Sequence, residues 1–319
     1  MTSPASIPAN VPARTTALRP LDALDRVLAS VESVRNGGAV YALLATFAAA
    51  GLLLAMAESA LARGALPWGM VWGGASLTTL FYGSNAAGLL LFDEARGSAR
   101  REVGQALRDA LASAHRLLLV LLAVTALAGA LLALLAAALW ATRVPLLGPA
   151  LFGLLLPVAV VAVGVAVLAG VAVIAPLAAP AIWSGLGVAA TLALLARHGR
   201  QRLVFVALLM SAVSGLAALV GAMATFVVVS GGRVVSALAV VTTGIELPPQ
   251  MLMAGLFGHG LRSLGAAGAP VAQSAYGQAA LAGGGVVFML ALVLPALVYL
   301  RGTCSVFLAL EERDEAAAS

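Results

Sequence analysis

Apolar residues run in long stretches along most of this chain, and charged residues collect in the gaps between them. A helix needs about 20 consecutive apolar residues to cross the roughly 30 Å hydrocarbon core of a bilayer. Six stretches meet that length: 39–62, 68–91, 117–141, 149–175, 203–230 and 281–300. The first is broken only by Thr46, Glu58 and Ser59, whereas the second carries Ser76, Thr78, Thr79, Tyr82, Ser84 and Asn85. Pro157 lies inside the fourth and Pro295 inside the sixth. The pattern predicts an all-α fold, a polytopic transmembrane helical bundle of six spans. A tail over 1–19 is expected to be disordered, 20–310 to form one transmembrane domain, and 311–319 to be a short acidic C-terminal tail.

The region after Arg233 is less regular. Val234–Ile245 and Met251–Leu261 are both apolar but flank Glu246-Leu247-Pro248-Pro249. Each half is about 12 residues, or roughly 18 Å of helix, too short to cross alone. Two short helices packed at the outer face, or a re-entrant hairpin, are the favoured readings; a kinked seventh span is the alternative.

Arginine gives the spans a direction. Fourteen arginines fall in the lead, the second and fourth connections and the tail, against four (Arg63, Arg143, Arg233 and Arg262) on the opposite side. Positive residues are retained on the cytoplasmic side, so both termini are expected there. Arg35, Arg116 and Arg202 each stand just before a span leading outward, at spacings of 81 and 86 residues. The segments before them read as amphipathic interfacial helices. Leu21, Leu24, Val27, Leu28, Val31 and Val34 share one helical face in the lead, and Val103, Leu107, Ala110, Leu111 and Ala114 share one in the second connection. Ala181–Ala196 is a less regular third copy. An interfacial helix followed by a two-span hairpin, three times over, is the expected organisation.

Composition agrees with the pattern. The chain is 62% hydrophobic and only 10% charged, where soluble domains carry about a quarter charged residues. All eighteen basic residues are arginine, which together with abundant Ala, Gly, Val and Leu reads as GC-rich bacterial coding. The expected location is the bacterial cytoplasmic (inner) membrane. The arginines are explained by topology, so nucleic acid is not an expected partner. Cys304, the single cysteine, excludes an intrachain disulfide and reads as a packing residue. The first long apolar run begins near Ala39, so no signal peptide is expected.

Candidate chemistry is sparse. His115, His198 and His259 have no second ligand at metal spacing, and no cofactor is expected. His115 and His198, beside arginines, are read as headgroup contacts. Gly83-Ser-Asn-Ala-Ala-Gly88 lacks the lysine of a phosphate loop. Intramembrane or gate polar residues are the default pointers to function, and here they are Glu58, Asn85 and Glu246. Glu58 could pair with Arg63, and Asn85 is expected to hydrogen-bond a neighbouring helix. Arg35, Arg116 and Arg202 are the headgroup-contacting candidates. Small residues four apart, Ala162-Ala166-Gly170 and Ser214-Ala218-Ala222, are expected to face protein.

Three segments carry a resemblance. Ile174–Pro180 followed by Ala181-Ile-Trp-Ser-Gly-Leu-Gly-Val188, then Leu194-Leu-Ala-Arg-His-Gly-Arg200, and the closing Phe307-Leu-Ala-Leu-Glu-Glu-Arg313 resemble uncharacterised six-span bacterial integral membrane proteins related to the membrane domain found beside glycerophosphodiester phosphodiesterases. The catalytic domain of those enzymes has no counterpart here, so the resemblance implies no activity. The expected function is non-enzymatic: a scaffold, assembly factor or lipid-interacting protein, with the bilayer, anionic lipids and a homo-oligomer or membrane-protein partner as its contacts. The alternative is a permease or channel for a neutral or apolar solute, which predicts a polar cavity near Asn85. A lipid-acting enzyme ranks third.

Overall fold

The computed structural model describes residues 28–99, 101–143, 148–243, 283, 286–287 and 290–318. All regular elements among them are helical. A 3₁₀ turn, Ala29–Arg35, leads into α1 (Gly37–Ala62) and α2 (Leu66–Arg96). Then follow α3 (Val103–Ala141) and α4 (Gly148–Ala169), which continues through a π turn, Gly170–Ile174, into α5 (Ala175–Trp183). The chain closes with α6 (Val188–Gln201), α7 (Leu203–Thr243) and α8 (Val293–Ala318).

Five stretches are long and apolar enough to cross a membrane: Gly37–Ala62, Val103–Ala141, Gly148–Trp183, Leu203–Val235 and Val293–Ala316. The expected second span, 68–91, lies within α2. At 31 residues α2 is about 46 Å long, so length does not separate it from the five; polarity does. Its polar groups are resolved inside the protein. Ser76 donates to the Ala50 carbonyl of α1 (2.8 Å), and Asn85 is bonded twice. From Asn85 to Asp93 every residue of α2 is buried, which makes it the central helix.

The helices alternate in direction. α1 and α2 form a tight antiparallel hairpin through Arg63–Ala65, with Leu61 against Gly69, Thr46 against Gly83 and Asn36 against Glu94. α7 and α8 are also antiparallel, with Val213 against Gly302 and Gly221 near Pro295. α2 and α8 run the same way, so that Phe92 meets Phe307 (ring centroids 6.2 Å) and Arg96 meets Glu311 (3.8 Å). Among the described residues α1–α2 is a hairpin and α7 and α8 pack antiparallel, and the ends of α2, α6 and α8 meet at one polar end.

The core sits towards that end. In α3 the buried residues are Ala106, Ala110, Ala114, Leu117 and Val120. Beyond them Leu122, Leu127, Leu132, Leu134 and Trp140 are exposed. α7 likewise buries Val206, Leu209, Met210, Val213 and Ala217, then exposes Met223, Phe226 and Val227. An apolar exterior of this extent calls for an apolar solvent.

The structure corrects several sequence expectations. The 103–116 segment is not a separate interfacial helix but the first turns of α3, because no glycine or proline falls between Gly104 and Gly129. The third interfacial copy, Ala181–Ala196, is cut at Ser184–Gly187, where Gly185 adopts φ +97° and lets the Leu186 N–H close back on the Ala181 carbonyl (3.3 Å). The lead segment is described only from Leu28 on, Leu21, Leu24 and Val27 lying outside the described residues; there Leu28, Val31 and Val34 are exposed and Ser30 and Ser33 buried, in the 3₁₀ turn. Val234–Thr243 is the end of α7 and not an independent short helix; 244–282, including the alternative seventh span, lies outside the described residues. The sixth helix runs on past its expected end: residues 283, 286–287 and 290–291 are helical within the expected 281–300, and α8 extends to Ala318, so the expected acidic tail is helical to that point.

The π turn has a local cause. Pro176 and Pro180 supply no backbone N–H, and a proline ring collides with the carbonyl four residues earlier. Widening the turn over Gly170–Ile174 absorbs this while the helix continues to Trp183. The small-residue stripe of α7 is also shifted. Ser214, Ala218 and Ala222 are exposed, and the packed positions are Val213 and Ala217. Alanine is so common that small residues line several faces, and the partner's Gly302 decides which face packs.

Gly83 tests the first hairpin. A Cβ there would lie 2.0 Å from Thr46 Oγ1. Replacing a helical glycine by alanine gains about 1 kcal/mol of propensity, whereas overpacking costs about 1–3 kcal/mol. Gly83→Ala is expected to lower the thermal unfolding temperature in detergent, and Gly83→Val to lower it further.

Candidate functional site: the polar end of the bundle

Two arrangements stand out at the polar end. The first joins α2 to α5. Asn85, 6% exposed, donates from Nδ2 to the Phe81 carbonyl (2.8 Å) and accepts at Oδ1 from Trp183 Nε1 (3.1 Å). One turn further along α2, a Cβ on Gly88 would lie 2.1 Å from Trp183 Cη2. The indole therefore lies flat against bare backbone. The expected hydrogen bond from Asn85 to a neighbouring helix is present. The same two bonds occupy the side chain that the permease reading needs for a solute.

The second arrangement is a set of ion pairs. Arg101 contacts Asp93 (2.9 Å) and Asp109 (3.0 Å), linking the end of α2 to the start of α3. Asn36 caps α1 by accepting the Ala39 N–H (3.1 Å) and donates to Glu94 of α2. Asp314 near the end of α8 receives three partners: Arg197, His198 Nε2 (3.3 Å) and Arg202 (2.8 Å). Arg313, the preceding residue, places its guanidinium 4.2 Å from the Phe205 ring centroid of α7. The Schellman-type end of α2, with Gly97 in the left-handed region and the Ser98 N–H on the Asp93 carbonyl (2.9 Å), turns the chain so that Arg101 comes back to Asp93.

His198 does not reach headgroups as expected: it is 2% exposed and faces Asp314. Burial pushes its imidazole below the ordinary histidine range, opposed by Asp314 and aided by Arg197 and Arg202. Its Nδ1 is buried and without a hydrogen-bond partner.

The other expected site residues are dispersed. Arg202 is turned to Asp314, while Arg35, Arg116 and His115 are exposed. Glu58 is half-buried on α1, and no ion pair joins it to Arg63 among the described residues. Glu246 lies outside the described residues. Asn36, Trp183 and Asp314 were not singled out from the sequence. Asparagine before Gly37-Gly38 is a legible cap signal; Asp314 was hidden because an acidic chain end reads as a solvated tail.

No family model matches the chain, and neither a curated protein nor a solved structure matches it.

The Asn85–Trp183 contact has a measurable consequence. Trp183→Phe keeps the ring on Gly88 but leaves Asn85 Oδ1 buried without a donor, a loss of about 1–3 kcal/mol. Asn85→Leu and Trp183→Phe together are expected to destabilise by less than the sum of the single changes, measured by thermal unfolding in detergent. Strict additivity would show that the bond is not formed.

Proposed function

We propose that this chain is a six-span protein of the bacterial inner membrane with both termini cytoplasmic, and that it acts as a lipid-interacting scaffold or assembly protein rather than as an enzyme or a permease. The observation that carries this reading is the division of charge at the polar end. Arg101, Arg197 and Arg202 are spent on internal carboxylates, whereas Arg35, Arg108, Arg116 and Arg200 are exposed. Exposed arginines beside apolar helix surface attract anionic headgroups, each worth about 1 kcal/mol near a charged leaflet. Leu107 and Leu111 add exposed apolar surface on the same turns of α3 as Arg108.

The geometry favours α2 as the sixth span. Its hairpin with α1 returns the chain to the polar end, and its polar groups are bonded within the bundle. The positive-inside count assigns that end to the cytoplasm. The exposed outer stretches of α3, α4 and α7 are surface for lipid tails or for partner helices. Commitment of Asn85 to Trp183 weighs against the permease alternative.

Lipid preference is the direct test. The purified chain in mixed nanodiscs should enrich phosphatidylglycerol over phosphatidylcholine in native mass spectra. Arg35→Gln with Arg108→Gln and Arg116→Gln should remove most of that enrichment while leaving the thermal unfolding temperature within a few degrees. Equal enrichment by the triple variant would eliminate the headgroup role.

Orientation has its own test. In a Cys304→Ser background, single cysteines at Ser98 and Ala317 should be shielded from a membrane-impermeant maleimide in intact spheroplasts, and one at Arg63 should react. The reverse pattern would invert the assignment.

A further inference from the structure

Asp314 occupies a position built for a more highly charged group. Two guanidiniums and an imidazole, from the end of α6 and the link to α7, converge on this one carboxylate from α8. Arg202 Nη1 is buried and has no hydrogen-bond partner although its neighbour Nη2 is on Asp314. A buried charged donor without an acceptor is uncommon in folded proteins, and this one belongs to the same guanidinium that holds Asp314. A carboxylate offers two oxygens; a phosphate monoester offers three terminal oxygens and up to two negative charges.

The location narrows the source. Arg202 immediately precedes Leu203, the first residue of the long apolar helix α7, which is the depth of a lipid headgroup in a spanning helix. The site opens to the surface, since the side chains of Arg197 and Asp314 are 48% and 21% exposed.

We propose that Arg197, His198 and Arg202 form a binding site for the phosphate monoester headgroup of an anionic lipid, and that Asp314 is its built-in competitor, holding the end of α8 against α6 until such a headgroup displaces it. This rests on the lipid-interacting reading above and names one site for it. Exchange of one anion for another on the same donors balances charge and breaks no covalent bond. Release of Asp314 removes one of the ties that hold the last turns of α8, beside Glu311 on Arg96 and Arg313 on Phe205, so that lipid binding is coupled to the position of the C-terminal segment.

The test uses the full chain in neutral detergent, with dioctanoyl phosphatidic acid and inorganic phosphate as probes in calorimetric titrations. Asp314→Asn should bind the lipid several-fold tighter than the wild type, Asp314→Glu should restore competition, and Arg202→Gln added to Asp314→Asn should abolish the gain. Equal affinity in the wild type and Asp314→Asn would overturn the proposal, as would a gain that survives Arg202→Gln. Inorganic phosphate binding as tightly as the lipid would refute the headgroup assignment. A separate readout needs no variant: phosphatidic acid, and not dioctanoyl phosphatidylcholine, should speed cleavage of the wild-type chain at Glu312 and Glu315 by a glutamate-specific protease. No acceleration would also overturn it. Because this site does not include Arg35, Arg108 or Arg116, its failure would leave their phosphatidylglycerol enrichment intact, and the two outcomes are separable.

Discussion

Trp183 can lie against α2 only because position 88 carries no side chain, and its indole N–H then reaches Asn85 one turn away. The contact sets where α5 stops. From there the chain must reverse at Gly185, which carries α6 back across the polar end and delivers Arg197, His198 and Arg202 to α8. In a bilayer this kind of contact has a particular weight. Lipid tails are as apolar as leucine, so helices associate through close packing and interhelical hydrogen bonds and not through the exclusion of water. Gly83, Gly88 and Gly302 are the close approaches, and Ser76 and Asn85 supply the interhelical bonds.

The same reasoning accounts for the uneven shape of the core. Residues buried in α3 and α7 cluster near the polar end, and the opposite ends of these long helices expose leucine, valine and phenylalanine. The tight part of the bundle is where glycines and polar groups are. The open part is where side chains are mostly apolar, and there lipid or another helix is enough to satisfy them. Charge obeys a parallel division. Carboxylates at the ends of α2 and α8 neutralise the arginines nearest the core, and the arginines left over point outward.

Some of the site was legible in the residues alone. Asn85 was visible as a polar group within an apolar run, and its role as an interhelical bond followed from the cost of leaving an amide unpaired away from water. Its partner was not, because a tryptophan beside a glycine-rich turn 98 residues away carries no local mark. His198 looked like a headgroup contact from its arginine neighbours. Its burial comes from the packing of α6 on α3, α5 and α7, and sequence spacing within α6 says nothing of that. Asp314 was assigned to a tail because acidic residues at a chain end usually are solvated; here helix α8 persists and aims it at three donors.

By itself the sequence determined the solvent and the class of fold: runs of apolar residues this long leave helices as the only way to satisfy the backbone inside a bilayer. Tertiary structure alone decided which stripe of α7 packs and which arginines are paired. Those outcomes depend on which helix surfaces meet. In a chain where alanine and leucine cover nearly every face, the local pattern is almost the same all round, and the choice falls to the few positions where a glycine, an amide or a carboxylate finds its counterpart on another helix.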